Sequence, residues 1–130
     1  MKRFNLDQEQ SAIFDKHGAF FAFSQKQFDE GKKPGILKYS ALGAGLLTPQ
    51  GTEKALMADL KAAWEKKISF ELENNSRKEI IFYELANREC QLTFDLSAAI
   101  EALEPYGITE EEVREVWPEY HNQCIDNDCF

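Results

Sequence analysis

Apolar residues recur every three or four positions through most of this chain, which is the pattern of helices with one buried face. In "TEKALMADLKAAWEKKI" they fall at Leu56, Leu60, Ala63, Trp64 and Ile68, and charged residues occupy the other face. Capping residues, glycines and prolines mark the ends of each helix. The pattern predicts helices between Asn5 and Gly18, over about 24–31, within 52–68, over about 77–88, from Asp95 through Leu103, and from Thr109 to near Trp117. Pro118, which lacks an N–H, is expected to end or kink the last helix.

One short region has the pattern of β-structure. "ILKYSALGAGLLTP" is rich in β-forming residues around Tyr39 and breaks at Gly43 and Gly45, which predicts a hairpin near 37–48 as the only sheet. The stretch 68–72 also alternates between apolar and polar residues, but the helical spacing downstream favours two helices separated at "NNS".

These elements predict a mostly helical α+β fold with one small antiparallel hairpin. We expect a single globular domain over 1–120 and an acidic, cysteine-containing tail over 121–130, because "HNQCIDNDCF" has no periodicity. The predicted core consists of Phe20, Phe21, Phe23, Leu56, Leu60, Trp64, Ile81, Leu85, Ile100, Leu103, Val113, Val116 and Trp117.

The composition is typical of a soluble globular protein, since 43% of the 130 residues are hydrophobic and 29% are charged. The start, "MKRFNLDQEQ", has a basic pair but no apolar run after it. No stretch approaches the roughly 18 apolar residues that a membrane span needs, so we expect a cytoplasmic protein. Three cysteines, an odd number without a secretory signal, favour reduced thiols over a disulfide framework.

The net charge of -8 is unevenly distributed. Residues 1–94 contain 14 basic and 13 acidic residues, a net charge of +1, whereas 95–130 contain one basic residue and ten acidic ones, a net charge of -9. Such a field repels nucleic-acid phosphates and anionic lipids, so we expect neither direct nucleic-acid binding nor membrane binding. A basic protein partner, such as a nucleic-acid-binding effector, is the complementary class.

The acidic residues of this last quarter lie on two consecutive predicted helices. Glu111, Glu115 and Glu119 recur every four residues and predict one exposed stripe, in which like charges repel one another. One interpretation is a solvated face that keeps the protein soluble; the other is a surface for a basic partner. The predicted partner-binding residues are Glu101, Glu104, Glu111, Glu112, Glu115 and Glu119.

A zinc site is the alternative. Imidazole and thiolates suit zinc, and the candidate ligands are His121, Cys124, Cys129 and Cys90. The spacing is not that of a zinc knuckle, and Cys90 alone is more simply a small buried hydrophobe. Without zinc, we expect no cofactor.

Enzymatic motifs are weak. A cysteine nucleophile needs a lowered thiol pKa and a nearby base. Asp126 and Asp128 would raise the thiol pKa of Cys124 and Cys129, and His17 could reach Cys90 in the fold, but any His and Cys could be paired in that way. "LGAGLLTPQG" lacks the glycine spacing and the Lys-Ser/Thr pair of phosphate-binding loops. No catalytic constellation is left, so we expect a non-enzymatic acidic interaction protein.

Four phrases carry a resemblance: "HGAFFAFSQKQFDEG", "YSALGAGLLTP", "YELANREC" and "DLSAAIEALEPYGITEEEV". Together they resemble small uncharacterised proteins encoded by bacterial phages, plasmids and related mobile elements. In that group His commonly stands where this chain has Arg88, which argues against a His-Cys role there. The resemblance brings no activity and no functional residue with it, but it implies an inhibitor of a host defence or nucleic-acid-binding protein.

Overall fold

The computed structural model describes residues 1–127 and confirms a mostly helical α+β fold. The elements are α1 (Leu6–His17), β1 (Phe20–Phe21), α2 (Gln25–Gly31), β2 (Tyr39–Gly43), β3 (Leu46–Pro49), α3 (Glu53–Asn74), α4 (Arg77–Asn87), α5 (Cys90–Thr93), α6 (Ser97–Leu103), a 3-10 turn (Glu104–Tyr106) and α7 (Glu110–Asp126). Within the described residues, none of the helices combines the length and the apolar character needed to cross a membrane.

The contacts group the chain into two compact units, and the division falls within α3. The sheet unit is Asn5–Lys67. The helical unit consists of Met1–Phe4 and the chain from Ile68 onward. The predicted single domain over 1–120 therefore contains two separately packed regions, which we describe one at a time.

In the sheet unit, local signals correctly predict the helix ends. The Asn5 side chain accepts a hydrogen bond from the N–H of Gln8 at the start of α1, and Gly18 ends that helix with a φ of 72°. Ser24 accepts one from the N–H of Gln27 at the start of α2. Both are side-chain caps, which depend only on residues three positions apart.

The predicted hairpin is confirmed as β2 and β3, but the sheet has a third strand. Strand β1 pairs antiparallel with β3, giving the order β1-β3-β2. We did not predict this strand because it contains only two residues, too few to show alternation. Gly43 and Gly45 have positive φ angles on either side of Ala44, as the turn requires.

The predicted core of the sheet unit is partly wrong. Phe21, Phe23 and Trp64 are 49%, 75% and 41% exposed, whereas Leu56 is fully buried. Aromatic rings pack against one another instead. The rings of Phe20 and Phe28 both meet Tyr39 edge-on, with centroids 5.5 Å and 5.6 Å from that of Tyr39, and they are tilted against each other at 6.1 Å. A small three-stranded sheet has too little area to cover every phenylalanine of "FFAF".

The helical unit contains the main hydrophobic core. Five predicted core residues of the chain are buried, and four of them, Ile81, Leu85, Leu103 and Val113, belong to this unit. The core cluster is made of Ile80, Ile81, Leu85, Cys90, Leu96, Ala99, Leu103, Tyr106, Ile108, Val113, Tyr120 and Cys124. The break at "NNS" is also confirmed, since Ser76 and Glu79 form a capping box at the start of α4.

The prediction that α7 ends near Trp117 is wrong. The helix continues through Pro118 to Asp126, so residues 121–126, which we expected in an irregular tail, are helical. Proline removes one backbone hydrogen bond, but the next turns bury Tyr120 and Cys124 beside Val113 on the same core. Burial of these side chains favours continuation of the helix.

Candidate functional site

The predicted partner-binding glutamates all lie in the helical unit. Glu101 belongs to α6, Glu104 to the 3-10 turn, and the other four to the first turns of α7. Thr109 caps α7 by accepting a hydrogen bond from the N–H of Glu112. Three carboxylates in the first helical turn are favourably placed for the helix dipole.

Two of the six predicted residues are engaged within the protein. Glu112 accepts two hydrogen bonds from the Arg77 guanidinium, at 2.9 Å from Nε and 2.7 Å from Nη2. This pairing lowers the pKa of Glu112 and raises that of Arg77. Glu119 forms an ion pair with Lys78. These two carboxylates hold α4 and α7 together and are less available to a partner.

The remaining four are exposed: Glu101, Glu104, Glu111 and Glu115. Within residues 1–127 none of them forms an ion pair. We call these four residues the acidic surface. The sequence does not distinguish these four glutamates from Glu112 and Glu119. The structure does, because Arg77 and Lys78 pair with Glu112 and Glu119.

Next to this surface is a groove with a volume of about 390 Å³. Its lining consists of Ile100, Glu104, Gly107, Ile108, Thr109 and Glu110. The turn that shapes it ends at Gly107, whose φ of 72° is one that glycine adopts without strain. We call this the 104–110 groove. It places an apolar floor beside the Glu104 carboxylate.

A second group of carboxylates is buried, and we did not predict it. Glu71 is 1% exposed. Its Oε1 atom accepts a hydrogen bond from the Tyr106 hydroxyl at 2.5 Å, and its Oε2 atom accepts one from the N–H of Phe4 at 3.3 Å. Burial, and then the Glu71 carboxylate, raise the pKa of Tyr106 well above its ordinary value. The hydroxyl therefore stays protonated and donates to Glu71.

Glu84 is the other buried carboxylate, with 9% of its surface exposed. Its Oε2 atom accepts no hydrogen bond from any described residue, although Arg88 Nε lies 3.4 Å away. A sequence signal for both residues existed, because Glu71 lies three positions after Ile68, and Glu84 lies three and four positions after Ile81 and Ile80, which is the spacing of one helix face. A glutamate inside an apolar stripe predicts a buried charge with a specific partner.

The candidate zinc ligands do not form a site in the described part of the chain. Cys90 and Cys124 are buried in the core at 0% and 2% exposure, and Cys129 lies outside the described residues. The His121 ring stacks on Trp117 at 5.2 Å and meets Phe94 edge-on. Among the residues that the structure describes, no three His, Cys, Asp or Glu side chains come together to hold a metal ion.

The geometry also disfavours a Cys90 nucleophile. Burial, and then the charge of Asp95, raise the pKa of the Cys90 thiol, so the reactive thiolate is scarce at neutral pH. In the sheet unit, Nε2 of His17, the base we considered, lies 2.6 Å from Oδ2 of Asp59. This contact and a 3.0 Å contact from Lys16 lower the pKa of Asp59.

Comparison with known proteins provides a family but no activity. The model of DUF7659, a family of unknown function, matches residues 3–123. No curated protein and no solved structure matches the chain.

Proposed function

The chain belongs to the DUF7659 family, and we propose from its own residues that it is a non-enzymatic acidic protein whose helical unit binds a basic protein partner. The observation that carries this proposal is the 104–110 groove, where Ile100 and Ile108 lie next to the exposed Glu104. An acidic face kept for solubility needs no apolar groove within it.

The groove suits a lysine or arginine side chain. Such a side chain has an apolar stem, which would bury against Ile100 and Ile108, and a charged head, which would meet Glu104 at the rim. The volume of about 390 Å³ is at the small end of ligand pockets, so it fits one or two side chains rather than a large ligand. The other three carboxylates of the acidic surface would meet further basic residues of the partner.

The charge of the helical unit supports the same class of partner. It contains six basic and fifteen acidic residues, a net charge of -9, whereas the sheet unit has nine and eight, a net charge of +1. A field of this kind accelerates encounter with a basic protein and weakens as salt is added. The same field repels nucleic acid.

A basic groove that normally binds nucleic acid is the partner surface that fits best. The resemblance to proteins of phages and plasmids supports the more specific form of the proposal. In that form, the protein occupies such a groove on a host defence or nucleic-acid-binding protein and so inhibits it. Carboxylates then stand in for the phosphates that the groove would otherwise bind.

The test compares two triple variants that remove the same number of charges. One removes three of the four charges of the acidic surface, including Glu104 at the groove rim, through Glu104→Gln, Glu111→Gln and Glu115→Gln. The control, Glu73→Gln, Glu89→Gln and Asp126→Asn, changes exposed acidic residues of the helical unit outside that surface. The probe is a peptide of alternating arginine and leucine, and its dissociation constant is measured over a range of salt concentrations.

We expect the first triple variant to weaken peptide binding about tenfold or more and to flatten its dependence on salt, while the control changes binding much less. Equal weakening by both variants would show that only net charge matters and would refute a site at the groove.

A further inference from the structure

Helices α1 and α3 carry the same pattern of residue types on one face. The segment "EQSAIFDK" covers 9–16 in α1, and "DLKAAWEK" covers 59–66 in α3. Each segment begins with an acid, has an alanine followed by isoleucine or alanine at its fourth and fifth positions, and ends with a lysine. The first, fourth, fifth and last positions lie on one face of a helix, because seven residues make about two turns.

These two faces meet in the sheet unit, and the helices that carry them run antiparallel. Lys16 Nζ lies 3.0 Å from Oδ2 of Asp59, and Lys66 Nζ lies 3.0 Å from Oε1 of Glu9. The lysine that ends each segment therefore pairs with the acid that begins the other, and both pairs lie within Asn5–Lys67.

A groove lies between the two ion pairs. Its volume is about 320 Å³, and its lining consists of the first, fourth, fifth and last residues of both segments. Ala12 and Ala62 are exposed, so the middle of the groove is open to solvent, and Ile13 is the largest apolar side chain that lines it. We call the four lining residues of each segment, taken together, the α1–α3 face.

The charged side chains at the two ends of the groove can also contact another chain. The side chains of Lys16 and Lys66 are 66% and 61% exposed. Among the residues that the structure describes, both contacts of Asp59 go to Oδ2 and that of Glu9 goes to Oε1. Each carboxylate therefore keeps a second oxygen for a lysine of another chain.

The charges of the α1–α3 face are complementary to those of a second copy. Because the helices are antiparallel, the lysine belongs to α1 at one end of the groove and to α3 at the other. A two-fold axis parallel to the helices brings α1 of each copy against α3 of the other. Lys16 of each copy then faces Asp59 of the other, and Glu9 of each faces Lys66 of the other. Opposite charges meet at all four corners.

The middle of the face is complementary to itself in size. In the same arrangement, Ile13 of each copy lies opposite Ala62 and Ala63 of the other, because these residues occupy the middle positions of their segments. Facing helices interdigitate when a large side chain lies opposite small ones. The isoleucine of one copy would thus fill the groove of the other.

We propose that the α1–α3 face is a self-association site through which two copies of this chain form a two-fold dimer. Four ion pairs between the chains surround its apolar centre. The face extends over about two turns, or roughly 10 Å, along each helix, so the interface is small and the dimer is reversible. We expect a dissociation constant on the order of 10–100 µM that rises as salt is added.

This proposal is independent of the proposed function. The α1–α3 face lies in the sheet unit, whereas the acidic surface and the 104–110 groove lie in the helical unit. Self-association is measured without any basic peptide, so either proposal can fail without the other.

The first experiment makes the face uniform in charge and follows the full chain by sedimentation equilibrium. One variant combines Lys16→Glu with Lys66→Glu, and the other combines Glu9→Lys with Asp59→Lys. We expect the unmodified chain to change from monomer to dimer between about 1 µM and about 1 mM. Each variant alone should stay monomeric, because like charges then meet at all four corners. An equimolar mixture of the two should form dimers again, since an acidic face meets a basic one.

The second experiment leaves every charge in place, because the first also removes the ion pairs that join α1 to α3. Ala12→Gln with Ala62→Gln fills the middle of the groove at two exposed positions. The control, Ser11→Gln with Met57→Gln, changes exposed residues of the same helices that do not line the groove. We expect the first pair to weaken dimerisation about tenfold or more and the control to leave it unchanged.

Three results would overturn the proposal. One is an unmodified chain that stays monomeric up to about 1 mM. Another is a dimer that Ala12→Gln with Ala62→Gln weakens no more than the control does, which would place the interface elsewhere. The third is a pair of charge variants that are folded by circular dichroism but do not associate when mixed. Should the charge variants not fold, the groove-filling pair decides by itself.

Discussion

The helical unit and the sheet unit are similar in length, but they bury different kinds of side chain. The helical unit packs aliphatic residues such as Ile81, Leu85 and Val113 to near-zero exposure. The sheet unit leaves Phe23 and Leu37 75% and 95% exposed and relies on aromatic edge contacts. Aliphatic burial scales with area and tolerates varied geometry, whereas edge contacts depend on ring placement.

The two units also differ in net charge, and the unit with the larger core is the more strongly charged. The unit with the larger aliphatic core has a net charge of -9, and the unit with little buried aliphatic area has a net charge of +1. Clustered like charges destabilise a compact state. A well-packed core can offset that repulsion, so a strongly acidic surface is compatible with the helical unit and would be more costly in the sheet unit.

The largest expected effect comes from the aliphatic core. Leu85→Ala should lower the free energy of unfolding by about 2–5 kcal/mol, because Leu85 is fully buried and its truncation removes apolar contacts and leaves a cavity in the core. Leu37→Ala in the sheet unit should change it by less than about 0.5 kcal/mol, since that side chain is in solvent. Urea unfolding of the two variants measures both, and a similar loss from each would contradict the contrast between the units.

The aromatic contacts of the sheet unit can be disturbed by a single methyl group. A Cβ atom at Gly31 would overlap the Phe20 ring, so Gly31→Ala should cost about 1–3 kcal/mol through displacement of that ring. Thermal unfolding measures the loss, and Glu30→Ala, at an exposed neighbouring position, is the control. In a Phe20→Leu background the penalty should shrink; an undiminished penalty would mean that the ring is not the cause.

In the helical unit, Tyr106→Phe leaves Glu71 Oε1 without its hydroxyl donor and should lower the free energy of unfolding by about 1–3 kcal/mol.

Folding raises the pKa of Tyr106, so the protonated hydroxyl stabilises the fold below the ordinary tyrosine pKa of about 10. Above that pH the unfolded chain loses the proton first, and stability falls. Denaturation at pH 8 to 11 should show this fall in the unmodified chain and less of it in the variant. A parallel pH profile for both would exclude Tyr106 as its source.

Smaller effects are expected from the glutamates of α7. Glu112→Gln loses the paired contact with Arg77 and should lower the melting temperature, by less than Tyr106→Phe does. Because pairing lowers the pKa of Glu112, its stabilising effect is present above the ordinary glutamate pKa and is lost as the pH falls through the lowered value. Glu111→Gln is the matched control, since it removes an unpaired charge. Equal effects of the two variants at pH 7 would show that the ion pair does not stabilise the protein.

The smallest expected effect is that of a metal chelator. Cys90 and Cys124 pack in the core of the helical unit, and the His121 ring stacks on Trp117. We therefore expect a chelator to leave the melting temperature of the untagged protein unchanged. A fall that zinc reverses would restore the zinc alternative, with Cys129 as a further candidate ligand.

Helix ends were the most predictable part of the fold. Asn5, Ser24 and Thr109 cap the helices that we expected to begin there, because a cap depends on residues within three positions. The predicted end of α7 at Pro118 was wrong because the length of that helix depends on contacts with distant residues. The local effect of Pro118 is unfavourable to a helix, and the opposing contribution comes from Tyr120 and Cys124 packing against other elements.

The residues of the candidate site also divide into those that local sequence predicts and those that depend on contacts with distant residues. Sequence spacing predicted an exposed stripe of Glu111, Glu115 and Glu119, and all three are exposed, but the structure pairs Glu119 with Lys78. Glu112, also predicted to bind a partner, pairs with Arg77, 35 residues away in sequence. The helical pattern does not predict the burial of Glu71 and Glu84, because burial depends on packing partners that the pattern does not identify. Tyr106, which donates to Glu71, is also 35 residues away from it in sequence.

The amino-acid sequence by itself determined where the longer helices begin, the hairpin, the uneven charge and the acidic character of α6 and α7, because these depend on neighbouring residues or on composition alone. The tertiary structure decided which carboxylates are paired and which are buried. Those properties depend on contacts between distant residues, and a carboxylate's environment sets both its charge state and its availability to a partner.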